Sequence, residues 1–149
     1  MQAQDLMTQP VATCHVNDSL NTAAMLMWDH DCGVVVAVHD DGKLASVVTD
    51  RDICMAAYTQ GRPLNEILVN SVMARHVISA RPDQEIGAIE HLMADHKVHR
   101  IPVVDADNIP VGIISMSDLA IASTAKEGTL KNGNTQIVET LAAICQRRR

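Results

Sequence analysis

The stretch IPVVDADNIPVGIISMSD, residues 101–118, decides the fold, and the stretch VVAVHDDGKLASVVTDRD, residues 35–52, repeats its plan. In each stretch a β-branched run is followed by an acidic turn, a second apolar run and a Ser/Thr-x-x-Asp motif. Continuous apolar runs are typical of strands covered on both faces, and short Asp/Asn/Gly turns typically join antiparallel strands. Each stretch therefore predicts a β-hairpin that leads directly into a helix.

Equivalent positions in the two stretches are offset by 66 residues, and the same offset continues without gaps across most of the chain. Matches at this offset cluster in the predicted strands and helices, whereas chance matches would scatter. Such self-similarity indicates an internal duplication. From residue 7 to residue 52 the identical pairs are Met7/Met73, Val11/Val77, Leu26/Leu92, Met27/Met93, Asp29/Asp95, His30/His96, Val38/Val104, Asp41/Asp107 and Asp52/Asp118.

Each copy predicts the element order β-α-β-β-α, so the fold class is α/β (α+β) with tandem repeats. The first strand is expected at 11–13 and at 77–79. The first helix is expected to start at Asn17-Asp18-Ser19 in copy one and at Pro82-Asp83 in copy two, with Glu85 adding negative charge to its first turn. Helical spacing of apolar residues follows both signals. The second helix is expected to begin at Thr49 or Ser115.

These elements divide the chain into four segments. Residues 1–57 form repeat one, 58–70 a connector, 71–124 repeat two and 125–149 a loop with a C-terminal helix. That last helix is predicted over 135–146, where apolar residues recur at helical spacing, and it is expected to dock on the core or on a partner. A lone repeat would be too small to bury a sufficient core, so we expect the two to pack together.

Composition excludes several classes of function. The net charge of −6 argues against a nucleic-acid binder. The absence of a long apolar run argues against a membrane span and predicts a cytoplasmic address. We expect the cysteines, which show neither a CxxC pair nor disulfide-scaffold density, to be small core residues, and Met25, Met27 and Met93 to fill the core. The four cysteines are Cys14, Cys32, Cys54 and Cys145.

Several motifs coincide in both copies: the openings DLM (5–7) and SVM (71–73), the helix ends LMWDH (26–30) and LMADH (92–96), the hairpin and the Ser/Thr-x-x-Asp motif. In this combination the chain resembles a CBS-domain pair (a Bateman module) of the stand-alone bacterial type, over roughly residues 5–123. The resemblance implies two repeats packed pseudo-symmetrically, a homodimer, and clefts between repeats that bind adenosyl ligands such as AMP, ADP, ATP, S-adenosylmethionine or NAD-type molecules.

The Ser/Thr-x-x-Asp motif permits two interpretations. A helix start offers unpaired N–H groups to an anion, and a hydroxyl adds a hydrogen bond to phosphate. The carboxylates of Asp52 and Asp118 suit ribose hydroxyls, which is the role the family assigns to them. The same residues, with Thr49 and Ser115, also fit a capping box that merely satisfies the helix end.

The copies differ around this motif. Copy two offers His99, Arg100, Ser115, Ser117 and Asp118, in a string that resembles the nucleotide-binding repeats of the AMP-activated kinase γ subunit, where the His-Arg pair faces phosphate. The other interpretation of Arg100 is a surface ion pair.

Copy one has Gly33-Val34 at the His-Arg positions, Ser46 in place of Gly112, and Arg51 as its one obvious cation. The Asp118 site therefore ranks first and the site formed by Thr49, Arg51 and Asp52 second.

Other chemistry finds little support in the sequence. The pairs His30-x-Cys32, His96-x-x-His99 and Cys14-His15 lack standard zinc-ligand spacing, so no metal site is predicted. No nucleophile motif or P-loop is present, so we expect no enzyme activity and no required cofactor. Two functional classes remain: a ligand-sensing regulatory module with an unknown effector protein, and a structural or protein-interaction dimer module whose clefts stay empty.

Overall fold

The computed structural model describes residues 1–124 and residue 140, and this part of the chain confirms a mixed α+β fold with tandem repeats. The helices are α1 (Leu20–Asp29), α2 (Asp50–Gln60), α3 (Ile86–His96) and α4 (Met116–Thr124). The strands are β1 (Thr13–His15), β2 (Val34–Val38), β3 (Leu44–Thr49), β4 (Arg100–Val104) and β5 (Pro110–Ser115). Short 3-10 turns cover Ala3–Asp5, Leu64–Glu66 and Val69–Ser71.

The first strand of each copy differs from its prediction. In copy one β1 runs parallel to β2 and lies two residues later than expected. In copy two the strand predicted at 77–79 is wrong, because only Ala80 bridges to Val103. The reason is Pro102, which occupies the position of Val36. The Val36 N–H donates to the Ala12 carbonyl at 3.0 Å, whereas proline has no N–H to extend the ladder.

The duplication extends to the backbone conformation. Asp31 and Lys97, which are equivalent at the 66-residue offset, both adopt a positive φ, of 48° and 54°. The hairpin turns match in the same way, with Gly42 at 79° and Asn108 at 66°. Non-glycine residues rarely adopt this region, and paired occurrences show that the loops before β2 and β4 share one geometry.

The two first helices begin differently from each other. Ser19 caps α1 as predicted, and its hydroxyl accepts a hydrogen bond from the Thr22 N–H at 3.3 Å. The expectation that Glu85 lies in the first turn of α3 is wrong. The helix begins one residue later, at Ile86, and Glu85 is its N-cap residue without a side-chain cap bond.

Two hydrophobic clusters form the core of the part of the chain that the structure describes, one for each copy, and they correct two predictions. Met27 and Met93 are buried, but Met25 is 52% exposed. Among the cysteines Cys14 is buried and burial raises the pKa of its thiol to about 11, whereas Cys54 is exposed rather than part of the core. These two exposed side chains lie on the outer faces of α1 and α2.

The segment that precedes each repeat packs with the other copy. The chain forms two compact units, and residues 1–9 belong to the unit that contains most of copy two, whereas residues 69–77 belong to the unit that contains copy one. Thr8 and Ile113 exchange backbone hydrogen bonds at 2.9 and 3.1 Å. The Ala74 N–H correspondingly donates to the Val47 carbonyl at 3.1 Å. Each unit therefore contains sequence from both ends of the duplication.

Part of the predicted C-terminal region lies outside the described residues. Of the helix predicted over 135–146, only Thr140 is described, and it is helical and buried. Residues 125–134, Cys145 and the basic end 147–149 likewise fall outside that description. Within the described part of the chain, no helix is both long and apolar enough to cross a bilayer.

Gly112 provides a test of the packing of residues 1–9. A Cβ at this position would lie 2.5 Å from Met7 Sδ and 2.8 Å from its Cγ. We expect Gly112→Ala to lower the free energy of unfolding by about 1–3 kcal/mol, since overpacking forces side chains to shift. Urea unfolding measures the effect.

Met7→Ala should recover part of the loss in the Gly112→Ala background, as a double-mutant cycle would show. The control is Gly61→Ala, where no atom lies within 4 Å of the new Cβ and only the positive φ of 61° opposes it. Its cost, about 1 kcal/mol, should not respond to Met7→Ala. An unperturbed Gly112→Ala variant would contradict the close packing of Met7.

Candidate functional site

The start of α2 is closed by a complete capping box. The Thr49 hydroxyl accepts from the Asp52 N–H at 3.2 Å and donates to Asp52 Oδ2 at 2.8 Å. The same Oδ2 accepts from the Thr49 N–H at 2.8 Å. These bonds satisfy two groups that a helix start would otherwise leave unpaired.

The start of α4 repeats this arrangement. Ser115 accepts from the Asp118 N–H at 3.2 Å, and its hydroxyl and N–H both donate to Asp118 Oδ2, at 2.6 and 2.7 Å. The structure therefore supports the capping interpretation of the motif in both copies.

Capping does not exclude ligand binding, because it uses only one carboxylate oxygen. Every hydrogen bond to Asp52 or Asp118 found within residues 1–124 ends on Oδ2 or on the backbone N–H. Oδ1 of each residue accepts none from that part of the chain. The cap thus fixes the orientation of the carboxylate and leaves a second oxygen for a hydroxyl pair such as that of ribose.

The loop before each hairpin is tied to the following helix. The His99 carbonyl accepts from the Met116 N–H at 2.9 Å, and the Gly33 carbonyl accepts from the Asp50 N–H at 3.2 Å. These bonds bring His99, and with it Arg100 as the first residue of β4, to the start of α4. His99, Arg100 and Ser117 are all exposed. Arg100 makes no ion pair within residues 1–124, so the alternative interpretation of this residue is not observed there.

The two helix starts differ at one residue that sequence reasoning missed. In copy one Asp50 Oδ1 accepts from the Arg51 N–H at 2.8 Å. Copy two has Met116 at this position, and a methionine side chain offers no comparable acceptor. The equivalent N–H, that of Ser117, has no partner within residues 1–124. The signal was available in the sequence, because the 66-residue offset also aligns the positions that differ.

A cavity of about 470 Å³ lies beside the start of α2, within the unit that contains copy one. Its apolar wall combines residues from α1 and α2, and its polar lining includes two carboxylates and a thiol. The cavity is lined by Ala24, Met27, Trp28, Asp31, Cys32, Gly33, Asp50 and Ile53. The Cys32 thiol donates to the Val34 carbonyl at 3.2 Å, so it is partnered at the edge of this space.

The histidines and cysteines considered as metal ligands do not assemble. Within residues 1–124 and at residue 140, no group of three His, Cys, Asp or Glu side chains is placed to hold a metal ion. His15 instead uses its ring locally: Nδ1 accepts from the Asn17 N–H at 3.1 Å, and Nε2 lies beside the Asp40 carboxylate.

The chain is similar to known proteins over most of its length. CBS domain-containing protein YhcV of Bacillus subtilis (strain 168) is 36% identical over 124 residues, which cover 83% of this chain and 86% of that protein. The CBS domain pair of protein MJ0100, solved in complex with 5′-methylthioadenosine and S-adenosyl-L-methionine, superposes with a TM-score of 0.77 at 27% identity and covers 85% of this chain and 98% of that one.

A third comparison is with Hypoxic Response Protein I, which was solved with two coordinated zinc ions. It superposes with a TM-score of 0.73 at 27% identity and covers 81% of this chain and 98% of that one. The family model for the CBS domain matches twice, over residues 3–58 and 69–124. These two matches account for most of the chain, which therefore belongs to the CBS-domain family.

Proposed function

We propose that this chain is a non-catalytic regulatory module that senses an adenosyl ligand through its Ser/Thr-x-x-Asp motifs, with the site at Asp118 as the principal one. The observation that carries the proposal is a carboxylate whose Oδ2 accepts two hydrogen bonds from the cap, while its Oδ1 accepts none from residues 1–124. An oriented oxygen of this kind accepts from ribose hydroxyls without reorganisation of the site.

The surroundings of Asp118 favour a phosphorylated ligand. Ser115 and Ser117 supply hydroxyls, and the Ser117 N–H lies in the first turn of a helix, where the dipole favours negative charge. His99 is tied to the same turn, and Arg100 follows it as an exposed cation. AMP, ADP or ATP fits this set, in line with the resemblance to the kinase γ subunit.

The site at Asp52 has the same cap in a different setting, with Thr49 and Arg51 as its other predicted residues. The MJ0100 pair, at 27% identity, was solved with adenosyl ligands that carry a thioether or a sulfonium instead of phosphate. This likeness supports S-adenosylmethionine as a ligand class here. NAD-type molecules have the same ribose and remain in the set to be tested.

The second functional class is an interaction module whose sites stay empty. In either class we expect an effector protein that responds to the module. The free thiols of Cys14, Cys32 and Cys54 are consistent with the predicted cytoplasmic address. Ligand binding distinguishes the two classes, because only a sensor is stabilised by an adenosyl compound.

We expect AMP at one hundred times its dissociation constant to stabilise the protein by about 2.7 kcal/mol, measured as a rise in Tm. Asp118→Ala should remove most of that rise, and Asp52→Ala should remove less. Because both substitutions also break a helix cap, each rise is referred to the ligand-free Tm of the same variant.

Asp118→Asn is the matched control, since an amide oxygen still accepts the cap bonds but carries no charge. Absence of any rise with AMP, ADP, ATP, S-adenosylmethionine or NADH would favour the interaction class. Equal losses in Asp118→Ala and Asp52→Ala would contradict the ranking of the two sites.

The proposal includes a homodimer formed through α1 and α2. These helices contact each other, and each exposes two large apolar side chains three residues apart. Trp28 is 87% exposed and Tyr58 82% exposed, and Met25 and Met55, one helical turn earlier, are 52% and 46% exposed. Exposed aromatic residues concentrated on one helix pair favour an interface. A second copy suits this face because a twofold interface pairs the same residues with each other.

Trp28→Glu and Tyr58→Glu should convert the dimer into a monomer, since each places a carboxylate in an apolar interface. Light scattering after size-exclusion chromatography measures the mass. Leu68→Glu is the control, because Leu68 is 44% exposed but lies outside both helices. A wild-type chain that is already monomeric would contradict the dimer, and so would an unchanged mass in both helix variants.

A further inference from the structure

The two helix starts differ in charge as well as in capping. From this difference we infer that the site at Asp52 is selective for an adenosyl ligand whose 5′ substituent is a thioether or a sulfonium, and that Asp50 excludes 5′-phosphate from it. This inference rests on the proposed function, since it names the ligand class of one proposed site. It is carried by three features of copy one: a helix N–H group that already donates to the Asp50 carboxylate, an acidic loop and an adjacent cavity.

The covered N–H is the first feature. A phosphate at a helix start needs the N–H groups of the first turn. In α2 all three are already used: Asp50 N–H by the Gly33 carbonyl, Arg51 N–H by Asp50 Oδ1, and Asp52 N–H by the Thr49 hydroxyl. A phosphate oxygen would therefore have to displace the Asp50 carboxylate and then lie beside it.

The charge of the surrounding positions is the second feature. The loop before β2 contains Asp31, and the equivalent residue before β4 is Lys97, in the same positive-φ conformation. At the N1 position of the following helix Asp50 is replaced by Met116. Copy one thus has two carboxylates where copy two has a cation and a thioether.

Two other residues oppose this difference: copy one also contains the cation Arg51, and copy two also contains the carboxylate Glu90. They reduce the difference in charge between the copies without reversing it. Arg51 is an exposed side chain in water, where its charge is strongly screened. Glu90, at the position of Ala24, is buried, and desolvation raises the pKa of its carboxyl. Copy two adds Arg100 where copy one has Val34, so its positive charge still dominates.

The cavity is the third feature. Its space of about 470 Å³ lies next to the helix start and is lined by both Asp31 and Asp50, together with the apolar side chains of Met27 and Ile53. Apolar walls accept a methylthio group, and the two carboxylates attract a sulfonium or an ammonium. The same carboxylates repel a phosphate, which carries up to two negative charges near neutral pH.

Isothermal titration calorimetry of the Asp118→Ala variant tests the inference, because this variant retains only the site at Asp52. We expect 5′-methylthioadenosine and S-adenosylmethionine to bind it at least about tenfold more tightly than AMP, since like charges brought together at a binding site are strongly unfavourable. Asp50→Met in the same background, which installs the copy-two residue, should raise AMP affinity by about tenfold and leave that of 5′-methylthioadenosine unchanged.

Asp50→Asn separates the two effects of Asp50, because the amide oxygen still covers the Arg51 N–H but has no charge. A gain in AMP affinity smaller than that of Asp50→Met is expected. The reciprocal variant Met116→Asp, in the Asp52→Ala background, should weaken AMP by about tenfold at the other site. Circular dichroism confirms that each variant is folded.

The outcomes separate this inference from the proposed function. If the wild-type chain binds no adenosyl compound, the proposed function fails. If it binds AMP through Asp118 but Asp118→Ala binds AMP as tightly as 5′-methylthioadenosine, or binds neither, the inference alone is overturned. An unchanged ligand preference in both Asp50→Met and Asp50→Asn would overturn it as well.

Discussion

The reciprocal hydrogen bonds between residues three apart at the start of α2 and α4 are the constraint on which the proposed sites depend. Thr49 with Asp52, and Ser115 with Asp118, satisfy the helix end and at the same time fix the orientation of a carboxylate. Because the cap uses one oxygen, the other has a defined position and accepts no hydrogen bond from residues 1–124. Stability and the proposed ligand recognition therefore require the same residues, and this explains why the motif alone does not distinguish a sensor from an empty scaffold.

Duplication gives the two candidate sites similar backbones but different charges. The loops before β2 and β4 share a positive φ at equivalent residues, and in each a carbonyl accepts a hydrogen bond from the first N–H of the helix that follows. Side chains at these fixed positions can then change without disturbing the fold. Asp50 and Met116 differ in charge and size, yet both begin a helix whose cap is intact. A duplicated chain can in this way carry two sites of opposite preference on one architecture.

Much of the fold could be predicted from sequence because its signals are local. The hairpins, the capping motif and the 66-residue offset all depend on residue type and spacing. The strand predicted at 77–79 was wrong because its pairing depends on a distant residue, Pro102, which cannot extend the ladder. The packing of residues 1–9 against Ile113 was equally invisible, since no local pattern specifies which copy a segment joins. Exposure of Met25 and Cys54 depends on packing between elements, which composition does not report.

The candidate site shows the same division between local and non-local information. The sequence identified the capped carboxylates and ranked the two copies by their cations, Arg100 and Arg51. It did not reveal that Asp50 covers an N–H group, because a carboxylate at the first helical position usually signifies only a favourable interaction with the dipole. Once that bond is known, the same charge that stabilises α2 makes its start a poor phosphate site. A residue that stabilises a helix can thus restrict which ligand binds at its start. On this proposal the residue at position 50 has more influence on ligand selectivity than the motif that the two copies share.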